Sequence, residues 1–309
     1  MPTIKNYLSL IKFSHTIFAM PFAFIGFCLG INSLYEIPFV KIFEPWKLSF
    51  ASKAKIYLVS NWWHLLLVIL CMVFARSAAM AFNRFLDRKF DAKNPRTAIR
   101  EIPAGVISSS HALFFTILMC LLFILCTYFI NSICFYLSPI ALFVILFYSY
   151  TKRFTYLCHL VLGVGLSLAP IGAYLAVTGE FAWLPILFSV AVVCWVSGFD
   201  IIFALQDEAF DKENNLYSIP ATIGTKKALN VSVFLHSIAA VAVLFAGYYG
   251  NFHLLYWLGA SIFCGMLFYQ HSIVKPTDLS KVNIAFMTAN GIASVVFSLF
   301  VILDLIFFN

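Results

Sequence analysis

The sequence predicts an all-α fold, a polytopic membrane bundle of nine transmembrane helices. Composition is the first reason: 62% of the 309 residues are hydrophobic and only 11% charged, against about 45–50% and about 25% in soluble domains. Mean hydropathy of +0.95 is the second. The third is that apolar runs near the ~20 residues needed to cross a bilayer recur evenly along the chain. Their even spread argues for a single domain over 1–309 rather than several soluble ones.

The runs lie at 16–34, 62–82, 112–130, 133–150, 156–178, 181–199, 228–250, 252–274 and 282–308. Lys5 and Lys12 precede the first, but no small-residue cleavage site follows it, so it reads as a retained helix rather than a signal peptide. The breaks Asn131-Ser132, Gly179-Glu180 and Asn251 are short enough for tight helical hairpins on one side of the membrane. The long breaks 83–111 and 200–227 lie on the other side.

Positive charge orients the bundle. The first long loop carries Arg84, Arg88, Lys89, Lys93, Arg96 and Arg100, whereas the three tight hairpins carry no Lys or Arg. The N-terminus and both long loops are therefore expected in the cytoplasm, with the chain integral to the plasma membrane (the inner membrane of a bacterium). Lys41, Lys47, Lys53 and Lys55, between the first two runs, are the exception, in a longer stretch that also holds Glu36 and Glu44. On this reading the net charge of +7 is topological, and no nucleic-acid partner is expected. The eight cysteines form no C-x-x-C pair and sit mostly inside apolar runs, where Cys acts as a small hydrophobe.

Chemistry concentrates in the two long loops. Asn83, Asp87 and Asp91 are spaced by four, so they share one face of an extension of the second helix. Hard oxygen ligands of this kind suit Mg²⁺, which takes one or two carboxylates together with substrate phosphates. In the second loop Asp207 and Asp211 are again four apart, and Asp200 lies near the same stripe. Ile-Pro-Ala follows each pair, at 102–104 and 219–221, so the loops repeat at offsets of 120 and 117 residues. Two carboxylate clusters on one membrane face suggest two metal ions bridging one diphosphate.

Between the loops, Tyr148-Ser149-Tyr150-Thr151-Lys152-Arg153 ends the fourth run. Lys152 and Arg153 either neutralise an anion or simply anchor a positive-inside helix end. Arg76 lies inside an apolar run, seven residues before Asn83 and on its face, about 10 Å deeper. A guanidinium at that depth needs a partner or a wet cavity, and a substrate carboxylate would pair with it bidentately. His15 and His159 show no partner in the sequence and read as packed or interfacial. Some of the aromatic residues could line a cavity where their faces stabilise a carbocation.

At these residues the chain resembles the UbiA superfamily of intramembrane prenyltransferases. The resemblance rests on N83-R-F-L-D-R-K-F-D91, R96-T-A-I-R-E-I-P-A-G105, Y148-S-Y-T-K-R153 and D200-I-I-F-A-L-Q-D-E-A-F-D211, and is strongest to the 4-hydroxybenzoate polyprenyltransferases. It implies nine helices around a central cavity open to lipid, and Mg²⁺-dependent transfer from a polyprenyl diphosphate to an aromatic acid. Asn83, Asp87 and Asp91 would match the first Mg²⁺–diphosphate motif, and Asp207 and Asp211 the second, with Asp200 an upstream member. Tyr148, Lys152 and Arg153 would contact the diphosphate, and Arg76 the aromatic acceptor. The first run reads Lys12-Phe-Ser-His15-Thr-Ile-Phe-Ala-Met-Pro21, where those enzymes often show Arg-x-x-x-Pro. The acceptor is thus open between 4-hydroxybenzoate and a dihydroxynaphthoate of menaquinone synthesis. A CDP-alcohol phosphotransferase is disfavoured because its Asp-Gly element is missing and Asn83 stands where its last Gly belongs. A transporter is disfavoured because the repeat is parallel and the acids lie at loop mouths.

Overall fold

In the computed structural model, which describes residues 3–11, 18–34 and 48–308, the chain is built from helices. They are α1 (Ile4–Leu10), α2 (Met20–Leu34), α3 (Phe50–Asp91), α4 (Ser109–Ile130), α5 (Ser132–Thr151), α6 (Cys158–Thr178), α7 (Trp183–Ala204), α8 (Glu208–Glu213), α9 (Ile219–Ile223), α10 (Thr225–Tyr249), α11 (Leu254–Ile273) and α12 (Asn290–Phe308). A 3₁₀ turn, Leu205–Asp207, joins α7 to α8, and a π-helical turn, Ile284–Ala289, leads into α12. No strand occurs among the described residues. Each of the nine apolar runs contains one long helix, although Thr16 and Ile17, like His15, lie outside the described residues. Seven helical segments are long and apolar enough to cross a membrane; Met20–Leu34 is apolar but shorter, and Leu254–Ile273 is not among the seven.

The hairpins follow the sequence expectation. Only Asn131 separates α4 from α5: its side chain accepts from the Cys134 amide at 2.9 Å and donates to the Leu175 carbonyl at 2.8 Å, which ties the turn to α6. Gly179 closes α6 with φ of 69°, a left-handed cap that glycine adopts without steric cost. At the turn into α11, Asp304 of α12 supplies the missing cap. Its buried carboxylate accepts from the backbone amides of His253 and Tyr256 at 2.9 and 3.0 Å.

Helix α3 starts twelve residues before the apolar run that marks it. Its 42 residues span about 63 Å, roughly twice the hydrocarbon thickness. The early part is polar and leaves no hydropathy signal; it bends at Asn61, where φ is −136°. Lys53 in this part is buried and donates to Asn32 Oδ1 of α2 at 2.7 Å. The far end carries Asn83, Asp87 and Asp91 without a break, as their spacing predicts.

One side of the bundle is a solid core, with Phe22, Phe188, Trp195, Tyr256, Phe263 and Phe297 interlocked edge to face or tilted. Helix α2 seats here against α6, where a Cβ on Gly26 would lie 1.9 Å from the Pro170 carbonyl oxygen. Small residues at such crossings bring helix backbones together in membranes. The other side is hollow, and the hollow is the site.

Candidate active site

A cavity of about 860 Å³ runs between α3, α5, α6 and α7. Arg76, Asn83, Asp87, Asp91, Tyr148, Lys152, Asp200, Asp207 and Asp211 all line it, so the structure gathers nine of the ten residues singled out in the sequence. The tenth, Arg153, pairs with one of these acids, Asp87. The rest of the lining is largely apolar, including Val68, Met72, Phe123, Leu137 and Ile171. Ile140 lines the cavity yet is 60% exposed midway along α5. The hollow therefore reaches the apolar outer surface of the bundle.

The polar end is a lattice of ion pairs. Asp87 is buried and takes Lys152 Nζ at 2.5 Å on one oxygen and Arg153 Nη2 at 2.9 Å on the other. Asn83 Nδ2 donates to Asp87 Oδ2 at 3.3 Å, one helical turn away. Asp91 Oδ1 takes Arg100 Nη1 at 2.7 Å, while its buried Oδ2 has no hydrogen-bond partner. Lys152 and Arg153, at the end of α5, thus both pair with one carboxylate of the site.

The second acid loop is less regular than its spacing suggests. The 3₁₀ turn at Leu205–Asp207 breaks the helix between Asp200 and Asp211, so the three acids do not ride one continuous stripe. Arg96 instead holds Asp207 with Nε on Oδ1 at 3.0 Å and Nη2 on Oδ2, and Asn94 Nδ2 donates to Oδ1 at 3.2 Å. The two loops thus meet directly. Asp211 accepts from Ser218 Oγ at 2.9 Å.

Arg96, Asn94 and His159 were missed as site residues. His159 lines the cavity and its Nδ1 lies 2.7 Å from Asp200 Oδ2. Its Nε2 accepts from the Ile219 amide at 3.3 Å, so the ring proton sits on Nδ1 and is donated to Asp200. It is buried, as a packed residue is, and it also holds an acid of the site. Arg76 is at the other extreme: it faces the cavity about two turns below Asn83, and its buried Nε has no hydrogen-bond partner.

The donor set fits Mg²⁺. All candidates are hard oxygens, and Asp91 Oδ2 is a buried acceptor with nothing donating to it. Among the described residues no three His, Cys, Asp or Glu side chains stand close enough to cage an ion unaided. Mg²⁺ does not demand such a cage, because it keeps waters and takes substrate phosphates as ligands.

A cation-rich, acid-rich mouth over an apolar chamber inside a helix bundle has room for a polyanionic head at one end and an apolar tail at the other. The chain belongs to the UbiA prenyltransferase family, whose profile matches residues 53–292. It is a prenyltransferase. It is 31% identical over 240 residues to the 4-hydroxybenzoate octaprenyltransferase of Aliivibrio fischeri strain MJ11, covering 76% of this chain and 82% of that one. It is 27% identical over 243 residues to the protein of the same name from Francisella tularensis subsp. mediasiatica, covering 77% and 84%. A UbiA homolog from Aeropyrum pernix K1 superposes with a TM-score of 0.77 at 26% identity, covering 94% of this chain and 98% of that chain. A UbiA homolog from Archaeoglobus fulgidus, solved bound to GPP and Mg²⁺, shares the fold with a TM-score of 0.72 at 20% identity, covering 97% and 99%.

Proposed function

We propose that this enzyme transfers a polyprenyl group from its diphosphate to the ring of an aromatic acid of the 4-hydroxybenzoate type, in quinone biosynthesis. One observation carries the reading: a single cavity holds the paired acid loops at its mouth and Arg76, whose buried Nε has no hydrogen-bond partner, deeper down. A diphosphate at the first and a carboxylate at the second would suit that arrangement. The names of the relatives support the acceptor class.

Bound Mg²⁺, held by Asn83, Asp87, Asp91, Asp207 and Asp211 with Asp200 beside them, would neutralise charge on the diphosphate. Lys152 and Arg153 supply fixed positive charge at the same place, where the leaving group gains electrons. Tyr148 closes the wall between them and Arg76. Arg76 orients the acceptor through its carboxylate, a positioning contribution. The C–O bond to the diphosphate breaks, the ring carbon ortho to the phenol forms the new C–C bond, and the ring proton leaves to restore aromaticity.

In this reading the whole chain is one domain of nine membrane-spanning helices, with α2 and α11 completing the seven longer apolar segments. The acid loops and the N-terminus face the cytoplasm, on the positive-inside pattern. The deciding assay supplies membranes bearing this chain with a polyprenyl diphosphate, Mg²⁺ and either 4-hydroxybenzoate or 1,4-dihydroxy-6-naphthoate, with products read by mass spectrometry. Prenylated 4-hydroxybenzoate is expected; product from the naphthoate alone moves the enzyme to menaquinone synthesis. Failure to release diphosphate in either case removes the transferase reading and leaves a transporter to be tested.

A further inference from the structure

Four of the rings lining the cavity gather at one place. Phe286 lies 4.3 Å from Phe203, 5.5 Å from Phe199 and 5.4 Å from Phe18, centroid to centroid, and Phe18 lies 5.6 Å from Phe199. Phe199 and Phe203 flank Asp200, and Phe203 is one helical turn before Asp207. The cluster therefore stands at the boundary between the acid mouth and the apolar chamber. A cation already lies over one of its faces: the Arg96 guanidinium is 5.3 Å from the Phe203 centroid.

The position of Phe286 is imposed. It lies in the π-helical turn Ile284–Ala289, and reverting to α-helical winding would swing it by about 100°. Asn290 locks that turn, its Nδ2 donating to the carbonyls of Ala285 and Phe286 at 3.1 and 3.0 Å. Asn290 is fully buried and is itself fixed, because its Oδ1 accepts from Trp195 Nε1 at 2.9 Å and Gln270 Nε2 at 2.8 Å. A buried amide network inside an apolar helix is costly, and an apolar residue would pack there at less expense. What the network secures is the placement of one aromatic ring at the polar–apolar boundary.

We infer that Phe286, with Phe199 and Phe203, forms the wall that stabilises positive charge on the allylic carbon as its bond to the diphosphate breaks. Phe286 is then a catalytic residue and Asn290 a positioning residue. The inference rests on the prenyl-transfer reading above. When the C–O bond breaks, its electron pair stays on the diphosphate oxygen and the allyl group carries the deficit. The negative faces of the rings oppose that deficit until the acceptor ring donates an electron pair to form the C–C bond, and the ring proton passes to a diphosphate oxygen. Attraction of a cation to an aromatic face is electrostatic and weakens as electrons are withdrawn from the ring.

The test is a series of mono-, di- and trifluorinated phenylalanines at position 286, with Phe286→Leu and Asn290→Leu, in purified full-length protein in detergent. Thermal midpoints confirm folding. Single-turnover rates should fall stepwise with fluorine number, and roughly tenfold for Phe286→Leu, with KM for both substrates within about twofold. Asn290→Leu should lower the rate and flatten the fluorine dependence. A flat fluorine series with normal rates in Phe286→Leu overturns the inference while leaving prenyl transfer intact. Absence of turnover in the unaltered enzyme overturns the reading beneath it instead.

Discussion

Asp87→Asn should lower diphosphate release by about 10²–10³-fold or more while the protein still folds. Asp87 is the junction of the site: its side chain is 3% exposed and is gripped by Lys152 and Arg153, with Asn83 on the same oxygen as Lys152. Neutralising it removes a hard ligand and frees two cations from their fixed places, so two sources of leaving-group stabilisation go together. Breaking a fully buried ion pair typically costs about 3–5 kcal/mol because a bare charge is left behind. Lys152 and Arg153 are 30% and 20% exposed and rehydrate at the cavity mouth, so the loss should be smaller than that. Diphosphate release and thermal midpoint, measured on the same preparation, separate the two effects. Near-normal release from both Asp87→Asn and Asp207→Asn would remove the acid loops from the reaction.

The second large effect concerns Arg76 and runs in two directions at once. Its guanidinium lines a largely apolar cavity and its buried Nε has no hydrogen-bond partner, so part of the cost of desolvating the group is left unmet in the folded protein. Arg76→Leu should therefore raise the thermal midpoint. It should also raise KM for the aromatic acid by about 10–100-fold or more, the worth of a charge-assisted bidentate pair of about 1.5–3 kcal/mol. Binding of the prenyl diphosphate should stay within about threefold. Arg76→Lys should recover little, because an ammonium lacks the planar fork. An unchanged KM for the acid would mean that Arg76 serves the helix rather than the substrate.

Local spacing carried the parts of the site that one helix builds. Asn83, Asp87 and Asp91 share a face because α3 continues unbroken through them, and helical geometry alone requires it. The second acid loop defeated the same argument. No Gly or Pro marks the 3₁₀ turn at Leu205–Asp207, and the chain tightens there while Asp207 turns toward Arg96. That pair is 111 residues apart, a contact periodicity cannot see; the dense charge of Asn94-x-Arg96 beside an acid motif was the available hint. His159 met its acid across 41 residues, with only its place at the head of an apolar run as a signal. Hydropathy found α11 but not its polar end, where Gln270 Nε2 donates to Asn290 and His271 meets His236 inside the bundle. The start of α3 was hidden because the buried Lys53 ammonium is hydrogen-bonded by Asn32 of the neighbouring α2, a contact hydropathy cannot see.

The cavity has a polar mouth and an apolar flank that surfaces beside Ile140. The two products of prenyl transfer would therefore leave by different routes, diphosphate to water and the prenylated ring to the hydrocarbon. Each is then diluted in its own phase, and the back-reaction would need both to return to one chamber from opposite directions. An enzyme of this shape, carrying out the proposed transfer, would work as a one-way valve between two solvents, because the compartments and not the bond energies alone would oppose reversal.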